Sequence, residues 1–218
     1  MMKDIAIFGA GGFGKEVACL IRRINEEYEN PIWNLIGFFD DDPSKKNMEI
    51  SHFGCCFGGV EVVNSWEKPL SVAISIGDPK SVERIISNIK NDFIDFPNII
   101  HPTFKVADSS TFHIGNGNII QGSCYASCDV SIGNFNIMNG EVMLGHDVVV
   151  GNYNSFMPDN RISGNVTIGN RNFFGVGCIV LQQLRIGNDV RLGAGSVLMT
   201  KPKDGQLYMG NPARKIKF

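Results

Sequence analysis

The chain lacks any apolar stretch long enough to cross a bilayer. Its longest apolar runs, such as "VAISI" at 72–76, fall far short of the roughly 20 residues a membrane helix needs. A signal-peptide core is also missing, because the opening "MMKDIAIFGAGGFGKEV" breaks its short apolar run with glycines and charge. There is no strong charge bias: a formal net charge of -2 argues against nucleic acid or an anionic membrane as the main partner. The six cysteines form no C-x-x-C pair and no repeated metal spacing, so reduced, buried thiols in a cytoplasmic protein are expected, not disulfides or zinc. What is present, 43% apolar and 19% charged residues over 218 positions, is ordinary globular composition with room for one large domain or two modest ones.

The two halves of the chain follow different rules. In residues 1–100, "IAIF" at 5–8 reads as a buried strand, and Val17, Leu20, Ile21 and Ile24 then form a helical stripe. A second strand ends in "LIGFFDDD" at 35–42. A third, "VAISIG" at 72–77, runs into Asp78-Pro79, which suits a helix cap followed by proline in the first turn. Val82, Ile85, Ile86 and Ile89 repeat the helical stripe, giving β-α-β-β-α order and predicting a small Rossmann-like parallel α/β sheet.

From residue 101 to 218 helical spacing disappears. Stepping by six from Ile114 to Leu198 meets fifteen positions, and all fifteen are apolar. With 43% apolar residues overall, chance does not produce that run. A longer period is superposed: Ile114-Gly115, Ile132-Gly133, Val150-Gly151, Ile168-Gly169 and Ile186-Gly187 recur every eighteen residues. Three flat sides per turn, each pointing one apolar side chain inward, predict a three-sided parallel β-helix of about five coils whose stacked turns share one core. Asparagines at 118, 136, 154, 160 and 172 are expected to supply the positive φ of the corners.

Within this repeat "GHDVVVG" at 145–151 holds an ionisable pair. His146 falls two residues after the inward Leu144, which places it on a corner. A lone histidine there is ordinarily a surface residue. Asp147 beside it changes the reading, since a carboxylate fixes the imidazole tautomer and raises its basicity, as a general base requires. Gly164 lies eighteen residues on, hence one coil further along the same corner, where its N–H is suited to a developing oxyanion.

The [LIV]-G hexapeptide array, the "GHD" corner and the terminal "GNPAR" at 210–214, together with "FGAGGFGKEV" and "GFFDDD", resemble the NeuD/PglD-type sugar acyltransferases of the hexapeptide-repeat superfamily. The resemblance spans essentially the whole chain. It implies a left-handed β-helix assembled as a homotrimer, with acetyl-CoA lying between neighbouring subunits. By position, it assigns His146 as the base, Asp147 as the residue that raises its basicity, and Ser155, Gly164, Val176 and Ala194 as acetyl-CoA contacts. Ser155 departs from relatives that carry a second histidine there.

The glycines of "GAGGFG" at 9–14 follow a strand and open a helix, with Asp40 and Asp41 ending the next strand, a pattern shared by dinucleotide-binding folds. A ligand-free tight turn is the plain alternative. The resemblance implies instead a pocket for a nucleotide-linked sugar, typically a UDP-sugar, with contacts from Gly11, Gly12, Phe13, Asp40, Asp41 and Gly77. Phe13 stands where some relatives carry histidine. The basic tail, Lys201, Lys203, Arg214, Lys215 and Lys217, is either a solvated terminus or a site for CoA phosphates.

The expected activity is therefore transfer of acetyl from acetyl-CoA to the amine of a nucleotide-activated amino sugar, for surface glycan synthesis, by a cytoplasmic enzyme with no metal. O-acetylation of a sugar or sialic-acid hydroxyl and a non-catalytic nucleotide-sugar-binding β-helix are the competing readings. A β-helix carbonic anhydrase fits poorly: the repeat region holds only His113 and His146, and a zinc site needs about three ligands. A NAD-linked enzyme would leave the β-helix without a purpose.

Overall fold

A computed structural model of the protein describes residues 2–216; Lys217 of the basic tail lies outside the described residues. The chain divides into two compact units, Met1–Pro102 and Thr103–Phe218.

In the first unit, β1 (Lys3–Phe8), α1 (Gly12–Asn25), β2 (Trp33–Phe39), α2 (Val60–Asn64), β3 (Leu70–Ile74), α3 (Pro79–Asn88) and β4 (Ile94–Asp95) follow in chain order. The four strands form a parallel sheet in the order β2-β1-β3-β4. Residues Ile5–Phe8 are buried without alternation, as a strand covered on both faces must be. Val17, Leu20, Ile21 and Ile24 turn inward along α1. At α3, Asp78 accepts the Ser81 N–H at 3.0 Å and Pro79 opens the helix; Ile86 and Ile89 of the expected stripe are only half-buried, and the backbone is already extended at Ile89. Two boundaries differ from expectation. Helix α2 is five residues long, too short to show a 3.6-residue period. Strand β2 stops at Phe39, so Asp40–Asp42 belong to the loop beyond it. Because β2 and β3 lie on opposite sides of β1, the chain reverses direction at the carboxyl end of β1, where open parallel sheets present a crevice to ligands.

The second unit is a left-handed parallel β-helix. Its three faces are built from two-residue strands stacked at eighteen-residue intervals: Ser131–Ile132 pairs with His113–Ile114 and Val149–Val150, Ile137–Met138 with Ile119–Ile120 and Ser155–Phe156, and Met143–Leu144 with Tyr125–Ala126 and Arg161–Ile162. One face has six strands, so the helix makes about six turns, not about five. The extra turn escaped the period count because spacing changes at both ends: Lys105 pairs with Tyr125, twenty residues on, and Arg191 with Leu207, sixteen on. Of the inward row, all but the half-buried Ile114 are buried. Phe156 and Phe174 stack across successive coils with centroids 4.6 Å apart and planes at 7°.

The corners are made differently from expectation. From Gly117 to Gly195 every sixth residue has a left-handed φ, and only positions 117, 177 and 195 among them are glycine. The expected asparagines sit one residue later and are buried. Asn118, Asn136, Asn154 and Asn172 form a ladder instead: each Oδ1 accepts the backbone N–H of the next coil at 2.8–2.9 Å, and each Nδ2 donates to a glycine carbonyl at 2.9 Å. Asn160, at another corner, donates to the Gly175 carbonyl at 3.0 Å. The four ladder asparagines thus occupy the core because every turn supplies partners for them, whereas the buried Oδ1 of Asn160 has no hydrogen-bond partner among the described residues. The recurring glycines are steric: a Cβ on Gly133 would come within 2.6 Å of the Gly151 carbonyl.

All six cysteines are free, but Cys19 and Cys55 are exposed and Cys128 is half-buried, so the expectation of uniformly buried thiols holds only for Cys56, Cys124 and Cys178. Burial pushes the Cys124 thiol up to about 11.

Candidate active site

Leu144 enters the core from the strand Met143–Leu144, and the chain then turns through Gly145, His146 and Asp147 before Val148 goes back inside. Asp147 holds the left-handed position of this corner, φ 57. The turn is fixed to its neighbours by the Asp147 N–H, donated to the Cys128 carbonyl at 3.1 Å, and the Asn165 N–H, donated to the His146 carbonyl at 2.8 Å. Both side chains of the pair project into solvent, with 62% and 58% of their surface exposed.

His146 Nδ1 lies 2.7 Å from Asp147 Oδ2. A neutral imidazole that donates from Nδ1 to this carboxylate carries its lone pair on Nε2. Among the described residues Nε2 has no hydrogen-bond partner. The ring lies over Gly164 of the next coil, where a Cβ would collide with Nε2, Cε1 and Cδ2. Glycine is therefore what allows the imidazole to lie across the stack. The Gly164 N–H meets no acceptor among the described residues, so a basic nitrogen and a free amide donor stand at one corner. Beside them is a depression of about 230 Å³ lined by Tyr125, Met143, His146, Arg161 and Ser163 among others. Arg161 is paired with Asp159 at 2.6 Å, which leaves the wall without a net positive charge of its own.

The remaining residues expected to touch acetyl-CoA lie elsewhere on the prism. Val176 and Ala194 are exposed, stack one above the other on a second corner, and like Gly164 have backbone N–H groups without an acceptor among the described residues. All three occupy the second position of their turn. Ser155 is on the strand Ser155–Phe156 with 1% of its surface exposed, and the fold brings it to neither corner. Lys201, Lys203, Arg214 and Lys215 are all exposed.

In the first unit the loop between β1 and α1 divides its glycines into two kinds. A Cβ on Gly9 would meet Ser75 Oγ at 2.6 Å, and one on Gly14 would collide with the Gly9 carbonyl, so these two serve close packing of strand, loop and helix. Gly11, Gly12 and Gly77 have nothing within 4 Å of a Cβ, which leaves open space over the loop and the end of β3. Phe13 is half-buried beside them. Gly11 caps α1 without a side-chain hydrogen bond, and no acidic residue occupies the first turn.

Asp40 does more internal work than the sequence suggested. Oδ2 accepts the Ala10 N–H at 2.8 Å and the Lys45 ammonium at 2.7 Å, while Oδ1 accepts the Asp42 N–H at 3.0 Å. Partial burial opposes its charge, but the Lys45 hydrogen bond and the two backbone N–H groups prevail and hold the carboxyl below its usual range. Asp41 is exposed and accepts the Val60 N–H at 3.0 Å, tying down the start of α2. Lys45 was missed from the sequence, since only its ion pair with Asp40 reveals that it reaches this loop. Among the described residues no group of three or more His, Cys, Asp or Glu side chains is placed to hold a metal ion, and no helix is long and apolar enough to cross a membrane.

Residues 4–89 match the family described as the PglD N-terminal domain. No curated protein matches the sequence. Among solved structures, the acetyltransferase domain of PglB from Neisseria gonorrhoeae in complex with acetyl coenzyme A is 26% identical, covers 99% of this chain and 100% of its own, and superposes with a TM-score of 0.85. PerB from Caulobacter crescentus, in complex with CoA and GDP-perosamine, is 25% identical over 100% of this chain and 99% of its own, with a TM-score of 0.86. WeeI from Acinetobacter baumannii shares the fold at 24% identity, 99% and 100% coverage and a TM-score of 0.83. The β-helix with its histidine corner and these likenesses along the full chain point one way: the protein is similar throughout its length to sugar N-acetyltransferases of the hexapeptide-repeat, left-handed β-helix type.

Proposed function

We propose that the protein transfers the acetyl group of acetyl-CoA to the amine of a nucleotide-linked amino sugar, a UDP-4-amino-sugar in the first instance, at the His146 corner. The observation that carries this reading is the His146–Asp147 pair, with Nε2 unpartnered beside the free N–H of Gly164. As the sugar nitrogen adds to the thioester carbonyl, Nε2 takes its proton, Asp147 stabilises the imidazolium that forms, and the Gly164 N–H receives the tetrahedral oxyanion. When the C–S bond breaks, the same imidazolium returns the proton to the CoA thiolate, giving amide and free thiol with the histidine restored.

The Gly164 N–H meets acetyl-CoA at the thioester carbonyl, and the free N–H groups of Val176 and Ala194 suit the amide carbonyls of its pantetheine arm. They stand on two different corners of one prism. A homotrimer in which the His146 corner of one subunit faces the Val176–Ala194 corner of the next would place both against one CoA. The buried Ser155 is given no part in that contact. The exposed basic residues Lys201, Lys203, Arg214 and Lys215 are candidates for the CoA phosphates.

The nucleotide would lie over Gly11, Gly12, Phe13 and Gly77, with its diphosphate toward the start of α1. That PerB was solved with GDP-perosamine supports an amine acceptor and widens the choice of base beyond uracil. The six free cysteines agree with the reducing cytoplasm, where synthesis of a precursor for surface glycan would occur.

The test is thiol release from acetyl-CoA with a panel of UDP- and GDP-linked 4-amino sugars and their 4-hydroxyl counterparts. Release that depends on the amino sugars supports the proposal, and the better nucleotide identifies the base. Release only with hydroxyl sugars would make the protein an O-acetyltransferase. Tight binding of sugar and CoA without release would make it a binding protein.

A further inference from the structure

We infer that Lys45 is the phosphate-recognition residue of the N-terminal crevice, holding the diphosphate of the nucleotide-linked sugar while Asp40 anchors its ammonium. This rests on the nucleotide-sugar reading above and adds a residue to it. Asp40 Oδ2 is shared by the Ala10 N–H at 2.8 Å and Lys45 Nζ at 2.7 Å, which puts the ammonium at the mouth of the loop that leads through Gly11 and Gly12. An ammonium has three donors. Asp40 takes one, no other acceptor for Nζ exists among the described residues, and the side chain keeps 30% of its surface open.

Charge gives the second argument. A diphosphate approaching the open space over Gly11 and Gly12 also approaches Asp40, which is held ionised, and the exposed Asp41 and Asp42. Asp40 already spends three of a carboxylate's roughly four acceptor sites on protein donors, two on Oδ2 and one on Oδ1, so its first task is to order the loop and the ammonium. Lys45 offsets the local negative charge at the point where the ligand brings more of it. The 3-10 turn Pro43–Lys45, capped by Asp42, which accepts the Ser44 N–H at 3.0 Å, fixes the backbone from which the side chain reaches inward. Asp40 and Lys45 thus act together, the carboxylate ordering the loop and the ammonium meeting the phosphates.

The test is calorimetric titration of the full chain with UDP, GDP, uridine and guanosine, for wild type, Lys45→Met, Lys45→Gln and Lys45→Arg, with thermal unfolding measured alongside. The inference predicts that Lys45→Met weakens binding of the preferred nucleoside diphosphate by about tenfold or more, leaves its nucleoside unchanged, and that Lys45→Arg restores most of the loss. Lys45→Gln can still donate to Asp40 and reports the lost charge if Lys45→Met fails to fold. Diphosphate affinity equal to wild type in Lys45→Gln, or parallel loss of nucleoside and diphosphate, overturns the inference and leaves Lys45 a structural partner of Asp40. Failure of the wild type to bind either diphosphate would instead defeat the nucleotide-sugar reading itself.

Discussion

The two units present glycines to their sites in opposite ways. In the β-helix, Gly164 is required because the histidine ring occupies the space a Cβ would take. At the loop after β1, Gly11, Gly12 and Gly77 face open space, while Gly9 and Gly14 are the ones closed in by protein. A glycine that admits a side chain of its own chain is bound into the structure already. One that faces open space at an ordinary φ leaves room beside the backbone, and under the proposed function that room is where the nucleotide-linked sugar lies.

The largest expected effect checks that the β-helix is the rigid partner in this comparison. Phe156→Ala opens the stack with Phe174 and should lower stability by about 3–5 kcal/mol in denaturant unfolding, without changing which ligands bind. A smaller loss would mean that the coils relax around the gap.

Gly164→Ala sharpens the contrast. The added methyl must displace the imidazole, so acetyl transfer should fall at least tenfold while CoA binding changes little. Gly11→Ala, with nothing within 4 Å of its Cβ and an ordinary φ of -99, should leave stability within about 0.5 kcal/mol and act only on nucleotide binding. Comparable stability losses in both variants would erase the distinction.

Weaker still is the acid response. Asp40 has a lowered pKa, so its contribution to folding is complete above the ordinary carboxylate value of 3.8 and is lost as pH falls through its own lower value. Asp40→Asn should flatten the acid end of the stability curve, read by circular dichroism. The smallest effect concerns thiols: at pH 8 a thiol reagent should modify Cys19 and Cys55 promptly and leave Cys124, Cys178 and Cys56 protected until unfolding.

The β-helix was legible because its information is periodic. The fifteen inward residues and the corner position of His146 followed from counting, and the pairing of His146 with Gly164 from adding eighteen. Counting failed where the period fails, at Lys105 and Leu207, and it misplaced the asparagines by one residue, since composition alone did not distinguish a left-handed corner from the buried rung beside it. The burial of Ser155 was likewise invisible, because position in a motif carries no information about exposure. In the N-terminal unit the strands and two helices followed from pattern, but the crevice is assembled from segments near residues 10, 40 and 77 whose contacts are tertiary. For that reason the sequence shows neither the internal partners of Asp40 nor the reach of Lys45 to this loop.

The proposed chemistry turns on one nitrogen, His146 Nε2. The direct measurement is the rate of thiol release from acetyl-CoA with an accepted amino sugar, for wild type and His146→Ala, with CoA and sugar affinities determined in parallel. A fall of about a hundredfold or more at unchanged affinities is predicted for loss of a general base. A variant as fast as wild type would contradict it, and would make the His146–Asp147 pair a surface ornament of the corner it occupies.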